Sequence, residues 1–461
     1  MSTLLSVLIA LIIGVSPFWL GSNRPLAWSG NAVAIGSLLV LTSMVLVIEA
    51  RRYPPLKLSG LAGPFVLFGL VMVWAVVQVL PLGTLLAGHP AWGIASGVLT
   101  RDSSSTLSIN PTETIWAITR WLTATAAFLA VYVLARDGRN AKVLLRTFLV
   151  LMSLAALYGL LRLSLSLDKI LWFEEPDSGY LTSGFINRNS AATYFGMGSL
   201  AALGLVFHQV RKLLRPLGSA SGRETIRSLV AALTGGLGFD LVLFVLLFVA
   251  LLATGSRGGI SFTVVAALVL TLLYALRVSA RRKTGIDGSV WVLIILIAIV
   301  LMLGVFEMSG ARVMARLMDQ GLESDARFET YARTFAAIQD YLIVGSGLGT
   351  FQDVFPAYRL DIAPGRQVWD KAHNDYLEIV LGLGVPAALM LVLSFLGLFL
   401  KALTGFFSRR RDVHFSAIAV AVCILVGLHS LVDFSLQIQA NALALALFLG
   451  LGLAQSVSSH V

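Results

Sequence analysis

The sequence predicts an all-α polytopic membrane protein with about 12 transmembrane helices and one long, partly helical loop. Three observations carry this. The chain is 57% hydrophobic and only 13% charged, where an ordinary soluble domain is about 25% charged, and its mean hydropathy is +0.86. Its apolar residues fall into runs near the ~20 needed to span a bilayer. The longest interruption between such runs is 307–375. The chain divides into helices 1–9 over 1–306, the loop 307–375, and helices 10–12 over 376–461.

In chain order the spans are 3–20, 31–49, 60–80, 115–135, 143–162, 189–208, 238–254, 259–277, 289–306, 376–400, 415–433 and 438–456. The first lacks a basic leader and a small-residue cleavage site, so it reads as an uncleaved span. With the N-terminus in the cytoplasm, 20 of the 34 Lys and Arg fall on the cytoplasmic side. They include Arg51, Arg52, Arg139, Lys142, Arg211, Lys212, Arg281, Arg282 and Arg409 to Arg411. The positive-inside rule favours this orientation, which puts both termini in the cytoplasm and the long loop on the extracytoplasmic side. The net charge of +10 then belongs to cytoplasmic loops rather than to nucleic-acid binding. The lone Cys423 sits in an apolar run and forms no internal disulfide.

Three outside segments have substance: 81–113, 168–188 and the long loop. Within the loop, Ser324 is expected to cap an amphipathic helix of four to five turns, with Phe328, Tyr331, Phe335, Ile338 and Leu342 on its apolar face. The turn Gly345-Ser346-Gly347-Leu348-Gly349 should end it. A short outside turn, Thr254-Gly255-Ser256-Arg257-Gly258-Gly259, places an arginine among three glycines.

Several polar residues on that side could carry chemistry, and each has a plainer reading. Arg257 is either an interfacial arginine or a phosphate ligand, since its planar fork suits phosphate and the glycines let backbone N–H groups converge. Arg327, expected in the first helical turn, either pairs with Glu323 or Asp325 or faces a bound anion. His373, where the loop re-enters the membrane, is either an interfacial histidine or a general base, with Asp370 one turn away to orient it. Asn187, Arg188 and Asn189 either cap a span or contact sugar or phosphate. Glu174, Glu175 and Asp177 read as a solvated acidic loop. No zinc spacing, Asp-x-Asp pair or G-x-S-x-G nucleophile elbow is present.

Together these pieces resemble the O-antigen ligase and O-antigen polymerase superfamily. The resemblance runs from about Gly184 to Gly384. It is carried by Gly184-Phe185-Ile186-Asn187-Arg188-Asn189-Ser190-Ala191, Thr254-Gly255-Ser256-Arg257-Gly258, Ala326-Arg327-Phe328 followed by Gly345-Ser346-Gly347-Leu348-Gly349-Thr350-Phe351, and Ala372-His373-Asn374-Asp375-Tyr376-Leu377. It implies a GT-C-like inner-membrane glycosyltransferase with its active site facing the periplasm. Such an enzyme moves a glycan from undecaprenyl diphosphate onto an acceptor sugar such as lipid A–core. The resemblance implies Arg257, Arg327 and His373 as catalytic residues. Asn187, Arg188, Asn189, Asp370 and Tyr376 are expected to bind substrate, and no metal or other cofactor is expected. The expected partners are the two glycans, the bilayer and neighbouring polysaccharide-assembly proteins, with no nucleic acid among them.

The superfamily's polymerases often carry Arg-x10-Gly in outside loops, and no outside arginine here has that glycine. This favours a ligase, while the 81–113 loop and the chain length suit a polymerase. A transporter such as a lipid-linked sugar flippase is the reading from another class, because the 210–236 loop splits the spans six and six. Transporters place polar groups near the bilayer midplane, whereas Arg120, Arg162 and Asp240 are expected near span ends. A scaffold for an assembly complex is the third reading.

Overall fold

The structure, a computed structural model, describes residues 1–49, 60–82, 88–100, 105–174, 179–214, 222–279, 321–359 and 369–457. The expected ninth span, 289–306, and the first part of the long loop lie outside these residues. The helices are α1 (Ser2–Val15), α2 (Pro25–Ile48), α3 (Ala62–Val79), α4 (Pro90–Leu99), α5 (Pro111–Leu134), α6 (Gly138–Ser164), α7 (Arg188–Leu214) and α8 (Gly222–Leu233). They continue with α9 (Gly236–Ala253), α10 (Arg257–Ser279), α11 (Gly321–Asp340), α12 (Phe351–Val354), α13 (Asp375–Leu383), α14 (Val385–Ser408), α15 (His414–His429) and α16 (Gln439–Ala454). A two-residue antiparallel pairing, Lys169–Ile170 with Phe173–Glu174, is the strand structure among the described residues.

Eight of these helices are long and apolar enough to cross a membrane, and Ser2–Phe18, α15 and α16 are shorter apolar helices. The chain is an all-α polytopic membrane protein. Its axle is α7, which packs on α6, α9, α10, α15 and α16. Small residues make this possible, because apolar helices in lipid gain by close approach rather than by leaving water. A methyl group at Gly196 would stand 2.4 Å from Thr263 Oγ1, and one at Gly204 would stand 2.5 Å from Ile418 Cγ1.

Three expectations change. The tenth span begins at Val385, because the chain breaks at Gly384 (φ 79°, ψ 160°) and leaves α13 as a separate short helix. The loop helix covers Gly321–Asp340, so Ser324 lies inside it rather than at its cap, and Arg327 lies beyond its first turn. Its packed face also coincides with the expected apolar stripe only in part. Of the stripe, Ile338 is buried and Tyr331 half-buried, but Phe328 and Phe335 are 70% and 59% exposed, while Thr330, Thr334 and Ala337 are buried. The small-residue face seats α11 against Phe351, Phe355, Ala372 and Leu381, where the bulkier phenylalanines would hold the backbones apart.

Buried polar contacts fix the two ends of the bundle. At the basic end, Arg146 of α6 pairs with buried Asp240 of α9, and Gln455 Nε2 donates to the Ala135 carbonyl at 2.6 Å. At the other end, Arg162 holds the loop after α6 by donating to Thr182 Oγ1 at 2.6 Å and to the Lys169 carbonyl at 3.0 Å. The starts of α7, α10 and α13 gather at this second end.

Candidate functional site

The site is built where α7 and α10 begin. Ser256 caps α10, its Oγ accepting from the Gly259 N–H at 3.3 Å and donating to Asn189 Oδ1 at 2.8 Å. Gly255 adopts φ 59°, and a side chain there would meet the ring of Tyr180 at 2.7 Å. The same ring carries the Arg188 guanidinium at 4.5 Å, which brings Arg188 to the turn that precedes exposed Arg257. The positive end of the α10 dipole and Arg257 therefore share one surface.

Asn189 continues the chain of contacts. Its Nδ2 donates to Asp433 Oδ1 at 3.0 Å. Asp433 is fully buried, and its other oxygen accepts from Ser435 Oγ. Burial works to raise the Asp433 pKa, but hydrogen bonding and the nearby His429 and His373 outweigh it and hold the carboxyl below its ordinary range. His373 Nδ1 lies 3.9 Å from Asp433 Oδ1. That is an ion-pair separation, too long for a hydrogen bond.

His373 is held in a conformation a histidine rarely adopts, with φ 55°. Its neighbours impose this. Tyr331 of α11 donates to the His373 carbonyl at 3.0 Å, and the Ala372 N–H donates to Glu378 at 2.7 Å. Asn374 caps α13 at Leu377 N–H, 3.1 Å away, and donates to the Leu431 carbonyl at 2.9 Å. Non-glycine residues held at positive φ by several contacts cluster at functional sites.

Buried His429 links the two halves. Its Nδ1 meets Thr193 Oγ1 at 2.7 Å, and a side chain at Gly258 would stand 3.1 Å from its Nε2. Arg327 acts electrostatically on both His429 and Tyr331. Burial raises the Tyr331 pKa, against the lowering effect of Arg327.

Arg257, Arg327, His373, Asn189 and Arg188 thus border one surface. The other expected residues are placed differently. Asn187 closes a local turn by accepting from the Asn189 N–H at 2.7 Å. Tyr376 donates to the Gly427 carbonyl at 2.8 Å and ties α13 to α15. Asp370 is exposed on a non-helical stretch, so no helical turn brings it to His373, and Asp433 takes that position. Among the described residues, no three His, Cys, Asp or Glu side chains converge as metal ligands. Asp433 and His429 are not singled out by the sequence, and Tyr331 enters there only as part of the apolar stripe of the loop helix. Asp433 had one signal, being the last acidic residue of the chain and lying beside an apolar run.

An imidazole backed by a carboxylate can accept a proton, and guanidiniums at a helix start can hold an anion. A multi-pass membrane protein with this polar site at one end of its bundle is the class that fold and site define. Residues 242–392 match the family model described as O-antigen ligase, and the chain carries a domain of the O-antigen ligase superfamily. That segment contains Arg257, Arg327 and His373, whereas Asn189, His429 and Asp433 lie outside it. No curated protein matches the chain.

Proposed function

We propose that the protein is an O-antigen ligase-type glycosyltransferase of the bacterial inner membrane. It moves a glycan from undecaprenyl diphosphate onto an acceptor sugar hydroxyl, such as that of lipid A–core, at the periplasmic face. The observation that carries this reading is the His373–Asp433 pair beside the α10 start with Arg257 and Arg327.

In this reading Arg257 and Arg327 hold the diphosphate and stabilise the charge that grows on it as the glycosidic C–O bond breaks. The acceptor oxygen attacks the anomeric carbon from the opposite face, so the centre inverts. His373 takes the hydroxyl proton, a role worth typically 10²–10⁴-fold. Asp433 orients the ring and balances its new charge. The lipid diphosphate departs with the bonding electrons, and the two guanidiniums supply the charge neutralisation a metal would otherwise give.

A polymerase of the same superfamily is the second reading. It is favoured by the substantial 81–113 segment, which carries α4 and whose His89, just before that helix, meets Tyr341 Oη, just past α11, at 2.9 Å. The test is purified protein with lipid-linked donor and either lipid A–core or a second lipid-linked repeat unit as acceptor. Transfer to lipid A–core supports the ligase, and transfer to the repeat unit supports the polymerase. Full turnover by His373→Ala would remove the base, and loss of activity in EDTA would remove the metal-free mechanism.

A further inference from the structure

The basic end of the bundle, opposite the site, carries a helix that glycosyl transfer does not use. α8 lies between α7 and α9 in the chain and touches both. Ile226, Leu229, Val230 and Leu233 recur at spacings of three and four and share one of its faces. Arg223 and Arg227, one turn apart, border that face on one side, and Glu224 falls on the opposite face. All four apolar side chains are exposed, so no described residue covers the face they form.

Close approaches set the level at which α8 lies. A side chain at Gly236 would stand 2.8 Å from Gln209 Nε2, and Gln209 donates to Asp240 Oδ2 at 3.4 Å. The start of α9 therefore sits beside the end of α7, level with the Arg146–Asp240 pair. A side chain at Gly238 would come within 1.8 Å of the Leu233 carbonyl oxygen, so α8 turns directly into α9 with no room for a spacer. α9 is long and apolar enough to cross a membrane, and Phe239 and Val242 in its first two turns are exposed. Hydrocarbon thus begins within a turn or two of the end of α8.

These observations name the occupant of the apolar face. A helix with cations along the border of its apolar stripe seats that stripe where headgroups meet acyl chains, and the arginine stems reach outward to phosphate. The stripe is too small for a protein partner. A 12-residue helix is about 18 Å long, and four side chains along it fall well short of the ~800 Å² per partner of a standard protein interface. The charge selects among lipids. α8 and the last turn of α7 hold Arg211, Lys212, Arg223 and Arg227 against the single acid Glu224, which suits an anionic headgroup rather than a zwitterionic one.

We propose that α8 is an interfacial anchor that binds anionic phospholipid at the end of the bundle opposite the site. Its apolar face lies in the acyl boundary, and Arg223 and Arg227 lie on headgroup phosphates. The proposal does not depend on the glycosyl-transfer reading.

The test uses full-length protein in phosphatidylcholine–phosphatidylglycerol nanodiscs, with an environment-sensitive fluorophore on Ile226→Cys, Val230→Cys or Glu224→Cys in a Cys423→Ala background. Labels at 226 and 230 should be blue-shifted, quenched by a lipid bearing a nitroxide near its headgroup, and shielded from acrylamide. The label at 224 should stay open to acrylamide. Equal acrylamide access at all three positions overturns the proposal. Shielding at 226 and 230 without quenching by the lipid nitroxide also overturns it and puts a protein surface there instead. The two apolar positions report independently, so failure of one variant to fold leaves the other to decide. Native mass spectrometry with equal amounts of the two phospholipids reads the charge. The preference for phosphatidylglycerol should fall about fivefold for each arginine lost in Arg223→Gln and Arg227→Gln at low salt. An unchanged preference in the double variant overturns the headgroup contact.

Discussion

Replacing Asp433 by Asn isolates what a buried charge contributes beside His373. The substitution keeps shape and hydrogen-bonding capacity. Asn at this position can still accept from Asn189 and meet Ser435, the partners of the native carboxylate. It removes the negative charge 3.9 Å from His373 Nδ1. At that distance two unit charges interact by about 4 kcal/mol for an effective dielectric of ~20, an upper limit on what the imidazolium loses. Each 1.36 kcal/mol is a factor of ten, so kcat should fall roughly 10²–10³-fold. The donor KM should change little, because the interaction exists only once His373 has taken the proton. Single-turnover transfer from a lipid-linked donor reads this directly, with the unfolding midpoint in detergent as a check on folding. The same substitution at Asp370 provides the comparison. An Asp433→Asn enzyme with native kcat, or a larger loss at Asp370 than at Asp433, would refute the pairing.

Other substitutions test the frame. Arg257→Lys keeps the charge but loses the planar fork, so the apparent KM for the donor should rise about tenfold; an unchanged KM in steady-state assays would remove Arg257 from the diphosphate. Gly345→Ala should lower stability by at least about 2 kcal/mol, because Gly345 has φ 71° and an added side chain would stand 2.3 Å from the Gly382 carbonyl oxygen. An unaltered unfolding midpoint would contradict that packing. Asp375 has its carboxyl raised from 3.8 to about 7, so the folded protein binds more protons than the unfolded chain across that window. Stability should therefore be greatest at its acid edge and fall as pH rises toward 7, by at most about 4 kcal/mol. In Asp375→Asn the midpoint difference between pH 5 and pH 8 should shrink, and an equal difference would falsify the assignment.

The spans were legible because crossing a bilayer demands a long apolar run whatever the tertiary fold. The break at Gly384 was not, since the residues on both sides are apolar and hydropathy is blind to φ. The helix around Arg327 was legible as a helix, but its orientation was not. Periodicity favours Phe328 and Phe335 as the buried face, yet close approach to Ala372 and Leu381 rewards Thr330, Thr334 and Ala337 instead. Arg257, Arg327 and His373 could be named from motifs. Asp433 could not be paired with His373, because sixty residues and three whole helices separate them. Local spacing pointed to Asp370, which the non-helical backbone of 369–374 leaves in solvent. His429 looked like a lone histidine on an apolar helix, and only the packing of Gly258 against it gives it a place.

The break at Gly384 also separates two design problems. Had 375–408 been one helix, the height and rotation of His373 would be tied to the register of a bilayer-spanning segment. Any shift of that segment in the membrane would turn the imidazole away from Asp433. With α13 anchored by Ser430, Leu431 and Gly427, its position is set by α15 and the loop after it. The placement of His373 is thereby independent of the register of the span α14.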